Sequence, residues 1–86
     1  MMTAGQLRAA RALLGIDQKT LAELSSVSMP TIQRMEASDG VVRGTVETLT
    51  KVIEALNRAG VELLGEDPRG VGGRGVRLRL PVGPAG

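Results

Sequence analysis

Leu7, Ala10 and Leu14 recur at helical spacing, and just ahead of them Thr3-Ala4-Gly5-Gln6 sets a hydroxyl three residues before a Gln, the spacing of a capping box. Gly15 supplies a left-handed stop, so the pattern predicts a first helix over 4–14. Asp17 is a good N-cap for a second helix over 18–25, with Leu21, Ala22 and Leu24 inward. Ser25-Ser26-Val27-Ser28 interrupts the pattern. Ser28 then caps a third helix over 29–37, where Pro30 is tolerated because first-turn amides have no helical partner. Ile32 and Met35 fall on its buried face. After a polar loop over 38–44, Thr45 caps a fourth helix over 46–59. Its Val46, Leu49, Ile53 and Leu56 recur at i, i+3, i+7 and i+10, Val52 widens the stripe, and Arg58 and Gly60 mark its end.

The period then shortens. Val61-Glu62-Leu63-Leu64 is a short apolar run, and Val76-Arg77-Leu78-Arg79-Leu80 alternates with period two. These predict two strands, over 61–66 and 75–80, joined by a glycine-rich connection, with 81–86 as a disordered tail. Gly70-Val71-Gly72-Gly73-Arg74-Gly75 satisfies the dinucleotide fingerprint literally. That fingerprint needs a following helix and a βαβ unit, and here a short strand follows, so the segment reads as a flexible connection. The organisation expected is a helical domain over 1–60, a β-strand dimerisation appendage over 61–80, and the tail. The fold class is mainly α, four helices followed by a short C-terminal two-stranded β element.

Eighty-six residues hold one small domain. There is no Cys and no His, which removes disulfides, thiolate sites, imidazole ligands and the usual general base. With the carboxylates scattered, no enzyme activity, metal site or cofactor is expected. The absence of Phe, Tyr and Trp excludes aromatic stacking platforms for single-stranded nucleic acid. No apolar run is long enough for a membrane span and the start lacks a signal-peptide pattern, so the expected location is cytoplasmic. The net charge of +2 is unevenly spread. Residues 1–67 carry seven cations against all nine acids, whereas Arg69, Arg74, Arg77 and Arg79 stand without an acid in residues 68–86. The basic balance therefore belongs to the C-terminal segment and does not by itself make the helical part a nucleic-acid binder.

The second and third helices, separated by about four residues, have the helix-turn-helix arrangement, whose second helix enters the major groove of DNA. Three ordinary packed helices would give the same outline. The residues tip the balance. Gln18-Lys19-Thr20-Leu21-Ala22-Glu23-Leu24-Ser25-Ser26-Val27-Ser28-Met29-Pro30-Thr31-Ile32-Gln33-Arg34-Met35-Glu36 resembles the XRE family, the phage Cro and repressor-like DNA-binding domains. Gln18 opens the second helix, Leu21-Ala22 put a small residue at the helix crossing, Val27 and Ile32 point inward, and Met35-Glu36 close the third helix. Arg11 lies seven residues before Gln18, where family members have a basic residue that pairs with the acid matching Glu36. The resemblance covers about 4–60. It departs at Ser26, where a turn glycine is usual.

The resemblance implies a sequence-specific regulator of transcription that binds double-stranded DNA through the third helix. Expected contacts are Gln18, Lys19 and Arg43 to phosphates, and Ser28, Met29, Pro30, Thr31, Gln33 and Arg34 on the reading side. Arg34 can make the bidentate contact to guanine O6 and N7, with a phosphate contact or a solvated side chain as its alternatives. Met29 and Pro30 cannot hydrogen-bond a base through their side chains; they pack on a thymine methyl or mean weak readout. Arg11 and Glu36 are expected as a structural ion pair. Two such units on a palindrome restore the affinity that one unit with few cations lacks, so a homodimer is expected, joined through Val61, Leu63, Val76, Leu78 and Leu80, with a hairpin folded back within the chain as the rival. The alternative function is a protein-interaction module of the same fold that binds another regulator or a toxin. An RNA-binding basic tail is a third and weaker idea.

Overall fold

The computed structural model describes residues 2–67, 69, 70 and 72–79. Four helices run α1 (Ala4–Leu14), α2 (Gln18–Ser25), α3 (Met29–Glu36) and α4 (Val46–Ala59), and the strands β1 (Val61–Leu64) and β2 (Gly75–Leu78) follow. Each helix starts where a side chain can take a free first-turn amide: Thr3, Asp17, Ser28 and Thr45 accept from the backbone N–H three residues on. At α1 the box is reciprocal, the Gln6 side chain accepting from the Thr3 N–H. The N-terminus is pinned by backbone bonds from Ala4 N–H to Gly40 and from Val42 N–H to Met2.

The core gathers Leu7 and Ala10 of α1, Leu21 and Ala22 of α2, Ile32 and Met35 of α3, and Val52 and Leu56 of α4, together with Met2, Val42 and Val61. Two residues expected inside are not. Val46 is 81% exposed: it opens α4 on the side turned away from the core, whereas Leu49 of the same turn packs against it. Leu24 is 46% exposed, because it lies on the flank of the stripe set by Leu21, Ala22 and Ser25. Ser25 takes the inward place, its hydroxyl donating to the Leu21 carbonyl at 2.7 Å, which removes the penalty of burying it.

The strands form an intrachain antiparallel hairpin with Val61 opposite Leu78, Glu62 opposite Arg77, Leu63 opposite Val76 and Leu64 opposite Gly75. They are shorter than the spacing predicts, and Leu80 and residues 81–86 lie outside the described residues. The helices cover one side of this hairpin. Val61 is fully buried, and Leu63 and Val76 pack against the helical core. The cover comes from α1 and α4, and the Gln6 side-chain amide of α1 donates to the carbonyls of Leu64 at 2.8 Å and Gly75 at 2.9 Å. One buried Gln thus caps α1 and ties both strands to it. Nothing in the local pattern around Gln6 announces this second task, since its partners are 58 and 69 residues away.

The turn between α2 and α3 closes on Ser26, which sits at φ 55°, the left-handed region that a Cβ disfavours by roughly 1–2 kcal/mol. Its N–H still closes the helix by bonding the Glu23 carbonyl. Replacing Ser26 with Gly relieves that strain, and the extra freedom glycine brings to the unfolded chain offsets part of the gain. Ser26→Gly should therefore stabilise the domain by about 0.5–1 kcal/mol and raise its thermal midpoint by about 4 °C. An unchanged or lower midpoint would mean that the serine is not strained.

Candidate nucleic-acid interface

α3 buries Ile32, Met35 and Glu36 and turns Met29, Pro30, Gln33 and Arg34 outward, with Ser28 exposed at its cap and Thr31 at the margin. The exposed residues form a stripe two turns long at i, i+1, i+4 and i+5, the face a helix offers when its other side is packed. Of the expected phosphate contacts, Lys19 in α2 and Arg43 in the loop before α4 are exposed. The Ser28 and Thr31 hydroxyls are 2.8 Å apart, and Arg34 Nη2 lies 3.5 Å from Thr31 Oγ1.

Behind this face sits a charged cluster built around the last residue of α3. Glu36 is only 5% exposed, and Arg11 of α1 grips its carboxylate with two bonds, Nε to Oε2 at 2.6 Å and Nη2 to Oε1 at 2.8 Å. This bidentate geometry suits guanidinium and would not be reproduced by Lys. Arg11 Nη1 also donates to the Ile16 carbonyl at 3.0 Å, which fixes the turn from α1 into α2. Two further contacts were not legible in the sequence. Arg8 donates to the Glu36 backbone carbonyl, satisfying one of the free acceptors at the end of α3. Gln18, expected to face a phosphate, turns its amide to Glu36 Oε1 at 3.2 Å. Both residues lie at positions whose side chains look like ordinary solvated polar groups in a helical pattern. Only the fold brings α1, the start of α2 and the end of α3 to one point.

The electrostatics follow from this geometry. Burial pushes the Glu36 carboxyl up, but the hydrogen bonds from Arg11 and Gln18 and the charges of Arg11 and Arg8 outweigh it, so its pKa lies below the usual carboxylate value. The hydrogen bond to Glu36 raises the Arg11 guanidinium further above its own usual value. Two cations at the C-terminal end of α3 also complement its dipole.

The cations of the C-terminal segment are engaged locally. Arg77 bridges to Glu62 across the hairpin, Arg69 to Asp67, and Arg79 bonds the side chain and carbonyl of Asn57. Such pairing weakens the idea of a tail that binds RNA through loose arginines.

Compared with models of known families, the chain matches one described as helix-turn-helix over residues 7–63. No curated protein matches it.

Glu36 has a folded-state pKa below its unfolded one, so its contribution to stability is complete above the ordinary value of 4.5 and is lost as the pH falls below it, through the folded value. Asp17 shifts the same way through its bond from the Thr20 N–H, and Asp67 through its bonds from Arg69. Acid should therefore destabilise the domain, and Glu36→Gln should flatten that acid limb without abolishing it. At neutral pH the substitution strands Arg11 and should cost about 3 kcal/mol. A double-mutant cycle of Arg11→Ala and Glu36→Ala, followed by thermal unfolding, should give a coupling above about 0.5 kcal/mol. Simple additivity would contradict the paired arrangement.

Proposed function

The chain belongs to the XRE family of helix-turn-helix domains, a family of DNA-binding regulators, and from that premise we propose that it is a sequence-specific regulator of transcription that works in the cytoplasm as a homodimer, with α3 in the major groove of double-stranded DNA. The observation that carries this reading is the division of α3 into a clamped inner face and an exposed two-turn outer face. In this reading Arg34 reads a guanine, Gln33 reads beside it, and Ser28 and Thr31 stand at the edge of the groove. Lys19, Arg43 and the second amide hydrogen of Gln18 meet phosphates and set the register.

The dimer contact falls to the hairpin. Among the described residues β1 and β2 pair only with each other, so each keeps an open edge, and Leu78 is 50% exposed. Val61, Leu63 and Val76 serve the chain's own core, which leaves Leu78 and the strand edges for a second copy. A module of the same fold that binds another regulator or a toxin draws on the exposed apolar pair Met29 and Pro30. Steep loss of duplex affinity with rising salt separates the two, since it reports counterions released from DNA.

Arg34→Ala should weaken binding to a selected duplex by roughly 1–3 kcal/mol and relax preference at one base position, whereas Lys19→Ala and Arg43→Ala should weaken all sequences alike and reduce the salt slope by about one each. Arg34→Ala with affinity and preference intact would remove it from the reading face.

Truncation after Gly60 would take Val61 and Leu63 out of the core, so assembly is better tested by a surface substitution. The parent chain should sediment as a dimer and Leu78→Glu as a folded monomer with reduced affinity for a two-half-site duplex. A monomeric parent chain, or a Leu78→Glu chain that still dimerises, would contradict the hairpin contact.

A further inference from the structure

The leading turn of α3 is apolar where a DNA-reading helix would be expected to carry hydrogen-bonding groups. Met29 is 40% exposed at its first position, and Pro30 beside it is exposed and has no N–H to offer. The polar groups of the same turn are directed largely at one another. The Ser28 hydroxyl bonds the Thr31 hydroxyl and also accepts the Thr31 N–H, and the Ile32 N–H is spent on the Ser28 carbonyl. Placed against a base pair, this tip would desolvate nitrogen and oxygen atoms without replacing their hydrogen bonds, an unfavourable exchange. The major-groove edge carries one apolar group of matching character, the methyl on C5 of thymine.

We propose that Met29 and Pro30 form a methyl-reading tip that selects a 5-methylpyrimidine in each half-site; this rests on the reading of α3 as the major-groove helix. Pro30 and Arg34 are one turn apart on the same exposed stripe, about 6 Å along the helix axis. Successive bases on a strand are about 3.4 Å apart along the duplex and a helix in the groove is inclined to its axis, so the methyl-bearing base lies within about two steps of the guanine read by Arg34. Thymine carries this methyl in ordinary DNA and 5-methylcytosine carries it in modified DNA. The two differ at the neighbouring exocyclic group, which the apolar tip does not address.

The test begins with duplexes selected from a random pool by the full chain. Each thymine of the selected site is replaced in turn by deoxyuridine, which removes only the methyl. At one position within two steps of the guanine, affinity should fall about fourfold, the value of one buried methyl group. With Met29→Ala that dependence should vanish. The side chain is exposed, so the variant should keep its thermal midpoint, and the change on the DNA side needs no protein variant at all. In a third arm cytosine at that position is compared with 5-methylcytosine, and the methylated base should bind more tightly by a similar factor. Should thymine and deoxyuridine bind equally throughout a selected site, or lose affinity equally in the parent chain and Met29→Ala, the methyl-reading tip is overturned and the regulator reading stands. A methyl effect at thymine but none at cytosine would overturn the claim that the methyl alone is read. Selection of no duplex at all would overturn the regulator reading and this inference with it.

Discussion

Glu36 is a charged residue that the fold buries at the end of α3, and the position of that helix depends on how the charge is satisfied. Three side chains from two other helices converge on it: Arg11 on the carboxylate, Gln18 on the same carboxylate, and Arg8 on the backbone carbonyl. An uncompensated carboxylate at this depth would be strongly unfavourable, so α3 can occupy few orientations other than the one that keeps these bonds. The apolar contacts of Ile32 and Met35 supply attraction without direction, and the charged cluster supplies direction. The outer face of α3 is then held in place from behind, which is what a reading surface requires.

A second buried polar group does comparable work at the other end of α1. Gln6 completes the cap of its own helix and hydrogen-bonds both strands of the hairpin. The hairpin is thereby part of the helical core, and it still offers open edges and Leu78 to the outside. An isolated two-stranded hairpin is marginal in water, and this one is supported by packing on α1 and α4. The molecule thus divides its surface. In the proposed reading the hairpin end meets a second copy and the α3 face meets DNA.

Much of this was legible along the chain. Thr3, Asp17, Ser28 and Thr45 announce the helix starts, Gly15 and Gly60 the stops, and the change from helical period to alternation marks the passage to β structure. The spacing of Arg11 and Glu36 within the family pattern anticipates their pairing. What periodicity could not convey was how far each stripe is covered. Val46 continues the α4 stripe and yet projects into solvent, because a period describes a helix face and not what lies over it. Leu24 fails for the same reason. The further roles of Gln6, Arg8 and Gln18 were hidden because each depends on contacts between distant segments, and a polar residue in a helical pattern looks alike whether it faces water or a buried carbonyl. The cover of the hairpin was hidden too, because it depends in part on the Gln6 amide, which an apolar stripe does not reveal.

The central claim is that α3 enters the major groove, and methylation interference on a selected duplex tests it most directly. Methylation at guanine N7 adds a group in the major groove, and methylation at adenine N3 adds one in the minor groove. The account predicts that N7 methylation of one guanine in each half-site blocks binding by the parent chain, that Arg34→Ala removes this block, and that N3 methylation of adenines at the same positions has little effect. Interference confined to adenine N3, or binding indifferent to both modifications, would contradict it.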